Sequence, residues 1–70
     1  MNKTLYEVFA RQKREEPLGH IGTVRASSDV FARVYARNTY DEENWAELMV
    51  VPRSAIIPVL ELEPLLDPEG

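Results

Sequence analysis

Cysteine is absent from this chain, and His20 is its only histidine. No disulfide can staple the fold. A structural zinc site needs about four Cys, His or carboxylate ligands, so it has little to start from here. Those are two of the usual supplements of a small domain with a marginal core. At 70 residues the chain makes one domain, burying roughly 60% of the surface it would expose unfolded. Association with other chains is the supplement left, and the composition predicts it.

Long apolar runs are lacking too. No stretch approaches the roughly 20 consecutive apolar residues that span a bilayer. The start, Met1-Asn2-Lys3-Thr4, has no apolar segment leading to a small-residue cleavage site. A small secreted chain would normally carry disulfides, so the expected location is the cytoplasm. Basic charge is scarce: eight Lys and Arg stand against twelve Asp and Glu, for a net charge of −4. The deficit lies in the second half, where residues 36–70 hold two basic and eight acidic side chains. A dense basic stripe for a phosphate backbone is missing. Arg11, Lys13 and Arg14 form the one basic concentration, and they read as a solvated strand end and turn.

Catalytic equipment is equally thin. Neither a phosphate-cradling loop nor a dinucleotide fingerprint occurs, and no glutamate lies three residues before His20 to start a di-iron motif. Ser27, Ser28 or Ser54 as a nucleophile would need a base, and only His20 could serve. Ser28 reads better as a helix cap. Gly19-His20-Ile21-Gly22 reads as a turn exit with small residues under a packed neighbour. Asp41, Glu42 and Glu43 read as a solvated loop. The expectation is no catalytic residue, no cofactor-binding residue and no metal ligand.

What is present is a pattern of elements. Residues 4–12 alternate as a strand with Tyr6, Val8 and Ala10 on one face and Leu5, Glu7, Phe9 and Arg11 on the other. A polar connection with Pro17 leads to a second strand over 20–26, in which Ile21, Thr23 and Arg25 alternate against Gly22, Val24 and Ala26. Ser27-Ser28-Asp29 starts a helix running to about Tyr40. Its predicted core stripe is Phe31, Ala32, Tyr35, Ala36, Thr39 and Tyr40, with Arg33 and Arg37 opposite. A third strand over 47–51 stops at Pro52, and 53–57 suits a short helical turn. From Pro58, the spacing of Pro58, Pro64 and Pro68 denies both helix and central strand. The predicted fold is α+β: a small antiparallel sheet in the order strand, strand, helix, strand, with one covering helix. A right-handed crossover puts the third strand beside the first, which becomes central. Residues 1–57 form the domain and 58–70 a proline-rich acidic arm.

One helix covers one sheet face, so Leu5, Phe9 and Ile21 are predicted on an uncovered face. Val30 and Val34 lie among the helix arginines, off the core stripe. The arm carries Leu60, Leu62 and Leu65. All eight are candidate partner-binding residues, because exposed apolar groups in such places suggest contact surface.

The segments Leu5-Tyr6-Glu7-Val8-Phe9-Ala10-Arg11-Gln12-Lys13 and His20-Ile21-Gly22-Thr23-Val24-Arg25-Ala26 resemble a known family. The likeness resumes at Ala32, Ala36-Arg37, Tyr40, Met49-Val50-Val51-Pro52-Arg53-Ser54 and Ile56. Over residues 5–57 the chain is similar to the small B subunit, PaaB, of the bacterial ring-1,2-phenylacetyl-CoA epoxidase. That resemblance implies a non-catalytic subunit of a multicomponent di-iron monooxygenase in aerobic phenylacetate degradation. It further implies partners: a subunit that carries the di-iron centre and binds phenylacetyl-CoA, and an inert subunit paired with it. In isolation the chain is expected to be a homo-oligomer, with no nucleic-acid or membrane partner. The competing reading is a stand-alone homo-oligomeric α+β module that binds a small ligand or regulatory partner.

Overall fold

A central strand built from both apolar and charged residues organises the molecule. In the computed structural model, which describes residues 3–60, β1 (Thr4–Arg11) lies between β2 (Gly19–Ala26) and β3 (Glu47–Pro52). Both pairings are antiparallel. The helix α1 (Asp29–Thr39) crosses from β2 to β3 over one face, and a 3₁₀ turn, η1 (Arg53–Ala55), follows β3. The element order, the central place of β1 and the side on which β3 joins agree with the sequence reading.

Side-chain alternation fixes the layers. Tyr6, Val8 and Ala10 of β1 point at the helix and are buried, as are Val24 and Ala26 of β2. Ala32 and Ala36 face them from α1. Alanine brings the helix backbone close to the sheet. The resulting core is small, and among the described residues Val8 is the only large side chain that is completely enclosed. Leu48 and Val50 of β3 pack against it half-buried.

Two expectations need correction. Phe31 and Tyr35, assigned to the core stripe, are 50% and 40% exposed, and Thr39 is exposed as well. A three-stranded sheet is too narrow to accept a six-residue stripe, and the helix settles on its two alanines. Phe31 and Tyr35 instead stack on each other, with ring centroids 6.1 Å apart and planes at 15°. Ile21, assigned to the uncovered face, packs half-buried against the core. The cause is a bulge. Val8 pairs with Gly22 but Phe9 pairs with His20, so Ile21 is the extra residue and leaves the regular alternation.

The helix start behaves as its sequence indicates. Ser28 Oγ accepts from the Phe31 amide at 3.2 Å, and Asp29 occupies the first turn. The Tyr6 hydroxyl donates to Asp29 Oδ1 at 2.8 Å, tying the helix N-terminus to the central strand. That bond to a carboxylate, with burial and the Asp29 charge behind it, raises the Tyr6 pKa.

Candidate functional site

Two surfaces carry what a partner could recognise. The first is the sheet face away from α1, where the bulge and the strand register gather a polar cluster. Glu7 lies at its centre, opposite Thr23 on β2 and Val51 on β3. Its carboxylate is closed off by three neighbours. Arg53 Nε donates to Oε2 at 2.6 Å, Thr23 Oγ1 donates to Oε1 at 2.9 Å, and His20 Nε2 lies 2.7 Å from Oε1. The Glu7 side chain is only 12% exposed. The Arg53 bond, then those of His20 and Thr23, hold its pKa down to about 2, against a smaller opposing effect of burial.

Such a carboxylate is a poor proton carrier. General acid–base catalysis is most effective when the catalytic pKa lies near the working pH, and a carboxylate at about 2 stays ionised and weakly basic. Both oxygens are already engaged. Chemically the cluster is a clamp: it ties β1, β2 and η1 together across the face. Phe9 lies beside it, its ring centroid 5.3 Å from that of His20. Phe9 and Leu5 are half-buried on this face as expected, although no helix covers them. The sequence reading placed Glu7 on this face but missed its network. A lone carboxylate inside an otherwise apolar strand was the available signal, with Thr23 and His20 across the hairpin.

The second surface is a groove of about 610 Å³ between α1 and β3. Leu48 and Val50 form its floor and Val30, Arg33, Val34 and Arg37 its helix wall, while Tyr40, Asp41, Glu43, Trp45 and Glu47 also line it. Val30 and Val34 are 63% and 46% exposed, off the core as expected. Phe31 and Tyr35 stand outside the groove on the other helix flank, so apolar exposure on α1 is wider than the sequence suggested. Arg33 and Arg37 form no ion pair among the described residues, whereas Arg11 pairs with Glu47 at 2.6 Å and Arg53 with Glu7. Within that lining, Trp45 Nε1 donates to the Tyr40 carbonyl at 2.6 Å, and Glu43 accepts from Gln12 Nε2 at 2.6 Å. Those bonds fix the 41–46 connection against the helix end and β1.

Among the proposed arm anchors, Leu60 is 93% exposed, while Leu62 and Leu65 lie outside the described residues. Ile57 and Val59 are 84% and 91% exposed. The chain therefore leaves the body at once after η1.

The Gly19–Gly22 segment has a packing explanation. A Cβ on Gly22 would lie 1.8 Å from the Tyr40 hydroxyl oxygen and 2.9 Å from Cζ. Gly22 is the floor on which the Tyr40 ring rests, where the helix ends. The small residue under a packed neighbour is what the sequence predicted.

Among the described residues no group of three or more His, Asp or Glu is arranged to hold a metal ion, and no helix is long and apolar enough to cross a membrane. Comparison with curated proteins and with solved structures yields no match. Comparison with family descriptions does: "Phenylacetic acid degradation B" matches residues 2–68, nearly the whole chain. The residues that build the structure's two distinctive contacts, Glu7, His20 and Arg53 in the clamp and Gly22 and Tyr40 in the helix seat, all lie inside the matched span. The chain belongs to the phenylacetic acid degradation B family, PaaB, and its role lies in phenylacetic acid degradation.

Proposed function

We propose that this chain is a non-catalytic small subunit that organises a multicomponent di-iron phenylacetyl-CoA epoxidase in the cytoplasm. The family match over residues 2–68 carries the reading. Its partners are the catalytic di-iron subunit and the inert subunit paired with it; isolated, the chain associates with itself. Residues 1–57 serve as the folded body and 58–70 as a contact arm. Two features support a binding role over a chemical one. The one His–carboxylate pair, His20 and Glu7, is spent on a clamp with both carboxylate oxygens occupied. Four large apolar side chains of α1, namely Val30, Phe31, Val34 and Tyr35, are 40% to 63% exposed, and patches of that kind mark interaction surface.

The test is reconstitution. The chain is co-expressed with the two large oxygenase subunits, and complex formation is followed by size-exclusion chromatography with epoxidation of phenylacetyl-CoA measured alongside. Co-elution with both subunits is expected, with activity of the complex retained in Glu7→Gln. Failure to co-elute would overturn the organising role. Turnover by the chain alone would overturn the non-catalytic one.

A further inference from the structure

We propose that the groove between α1 and β3 is the docking site for the C-terminal arm, residues 58–66, of a second copy of this chain. The inference rests on the self-association and contact arm proposed above, and not on the epoxidase reading.

The groove and the arm are chemically matched. The groove has an apolar floor and wall, Leu48, Val50, Val30 and Val34, and both signs of charge in its lining. Of its carboxylates, Glu47 is paired with Arg11 and Glu43 accepts from Gln12, with Asp41 the third; Arg33 and Arg37 have no carboxylate partner among the described residues. The arm reads Pro58-Val59-Leu60-Glu61-Leu62-Glu63-Pro64-Leu65-Leu66, directly after Ile57. It supplies aliphatic side chains with two carboxylates among them. Arg33 and Arg37, unpaired on the helix wall, are the charge partners the groove offers to those two carboxylates. Pro58 and Pro64 restrict the backbone freedom of the arm, which lowers the entropy lost when it is ordered.

Direction decides between the chain's own groove and a neighbour's. The groove lies on the helix side of the sheet. The arm starts from η1, whose Arg53 reaches Glu7 on the opposite side. To enter its own groove, the arm would have to turn at once around the edge of β3. Over the described part it does not turn back: Ile57, Val59 and Leu60 are 84%, 91% and 93% exposed. A chain that carries three large aliphatic residues straight into solvent is placed for another molecule. Reciprocal exchange of two arms gives a closed two-fold dimer, so the association ends at two copies.

Sedimentation of the full-length chain tests this with two variants: Arg33→Glu/Arg37→Glu, which spoils the groove, and Leu60→Glu/Leu62→Glu, which spoils the arm. All four positions are exposed or lie outside the described body, and circular dichroism checks that each variant folds. The wild type should be a dimer at micromolar concentration. Each variant alone should dimerise at least about tenfold more weakly, because close interfacial charges and anchors govern dissociation. A mixture of the two should recover association, since it restores one intact arm in one intact groove. A monomeric wild type, a dimer indifferent to either variant, or a mixture no tighter than its components would each overturn the proposal.

Discussion

Glu7 shows how one residue can hold a surface without doing chemistry on it. Its pKa of about 2 lies below the ordinary carboxylate value of about 4.5, because Arg53, His20 and Thr23 favour the ionised form. A depressed carboxylate stabilises the fold fully above its unfolded pKa, and that contribution is lost as pH falls through the folded one. The window is therefore between about pH 4.5 and 2. Urea midpoints of the wild type should fall more steeply across that window than those of Glu7→Gln, whose amide cannot titrate. At neutral pH the variant should be the less stable of the two. Parallel midpoint curves would show that the clamp contributes nothing. The sequence displayed Glu7, His20 and Thr23 but not their meeting. Alternation places Glu7 and Thr23 on one face, whereas His20 joins them only because of the bulge at Ile21, which no local pattern announces. Arg53 reaches Glu7 from 46 positions away, through a 3₁₀ turn whose direction is set by tertiary packing.

At the level of elements, the strands and helix were legible because their signals are local: period-two alternation, the Ser28 cap and the Pro52 stop. The helix's facing was legible only in part. Ala32, Ala36 and Tyr40 point inward as the stripe predicted, but Phe31 and Tyr35 do not, because the width of the opposing sheet, rather than helix periodicity, limits what is covered. The seat of the helix end is the sharpest fit between elements, since Tyr40 occupies the space where a side chain on Gly22 would begin. Two opposing effects decide what Gly22→Ala does. Removing a glycine from a strand gains roughly 0.5–1 kcal/mol of backbone entropy. Overpacking a fitted contact costs about 1–3 kcal/mol. With a separation of 1.8 Å to the hydroxyl oxygen the ring must move, so the variant should be destabilised on balance. Adding Tyr40→Phe removes that oxygen but leaves Cζ at 2.9 Å, and should recover part of the loss. Denaturant unfolding of the single and double variants checks both steps; a single variant as stable as the wild type would show that the ring has room.

Over the whole molecule, burial is lopsided. Four of the seven residues in the core are alanine, so little apolar area is enclosed for the length of the chain. Many larger side chains stand outside: Val30, Phe31, Val34 and Tyr35 on the helix, Ile57 at the end of the body, and Val59 and Leu60 on the arm. Absence of cysteine and the short length already pointed to association, and the exposed side chains show where the missing burial can be completed. Stability that depends on a second copy is stability by mass action, and so it varies with concentration. For a dimer that unfolds to separate chains, a hundredfold rise in concentration adds about 2.7 kcal/mol per dimer, close to 1.4 kcal/mol per chain. In a domain of this size 1 kcal/mol moves the midpoint by about 4–8 °C. Calorimetry at about 10 μM and about 1 mM should therefore show Tm rising by roughly 5–10 °C. The same pair of scans on Arg33→Glu/Arg37→Glu should show a smaller rise, because its dimer is less populated at either concentration. Superimposable wild-type transitions would mean that one small, alanine-rich core holds the chain folded without help, and that its exposed apolar surface serves other proteins alone.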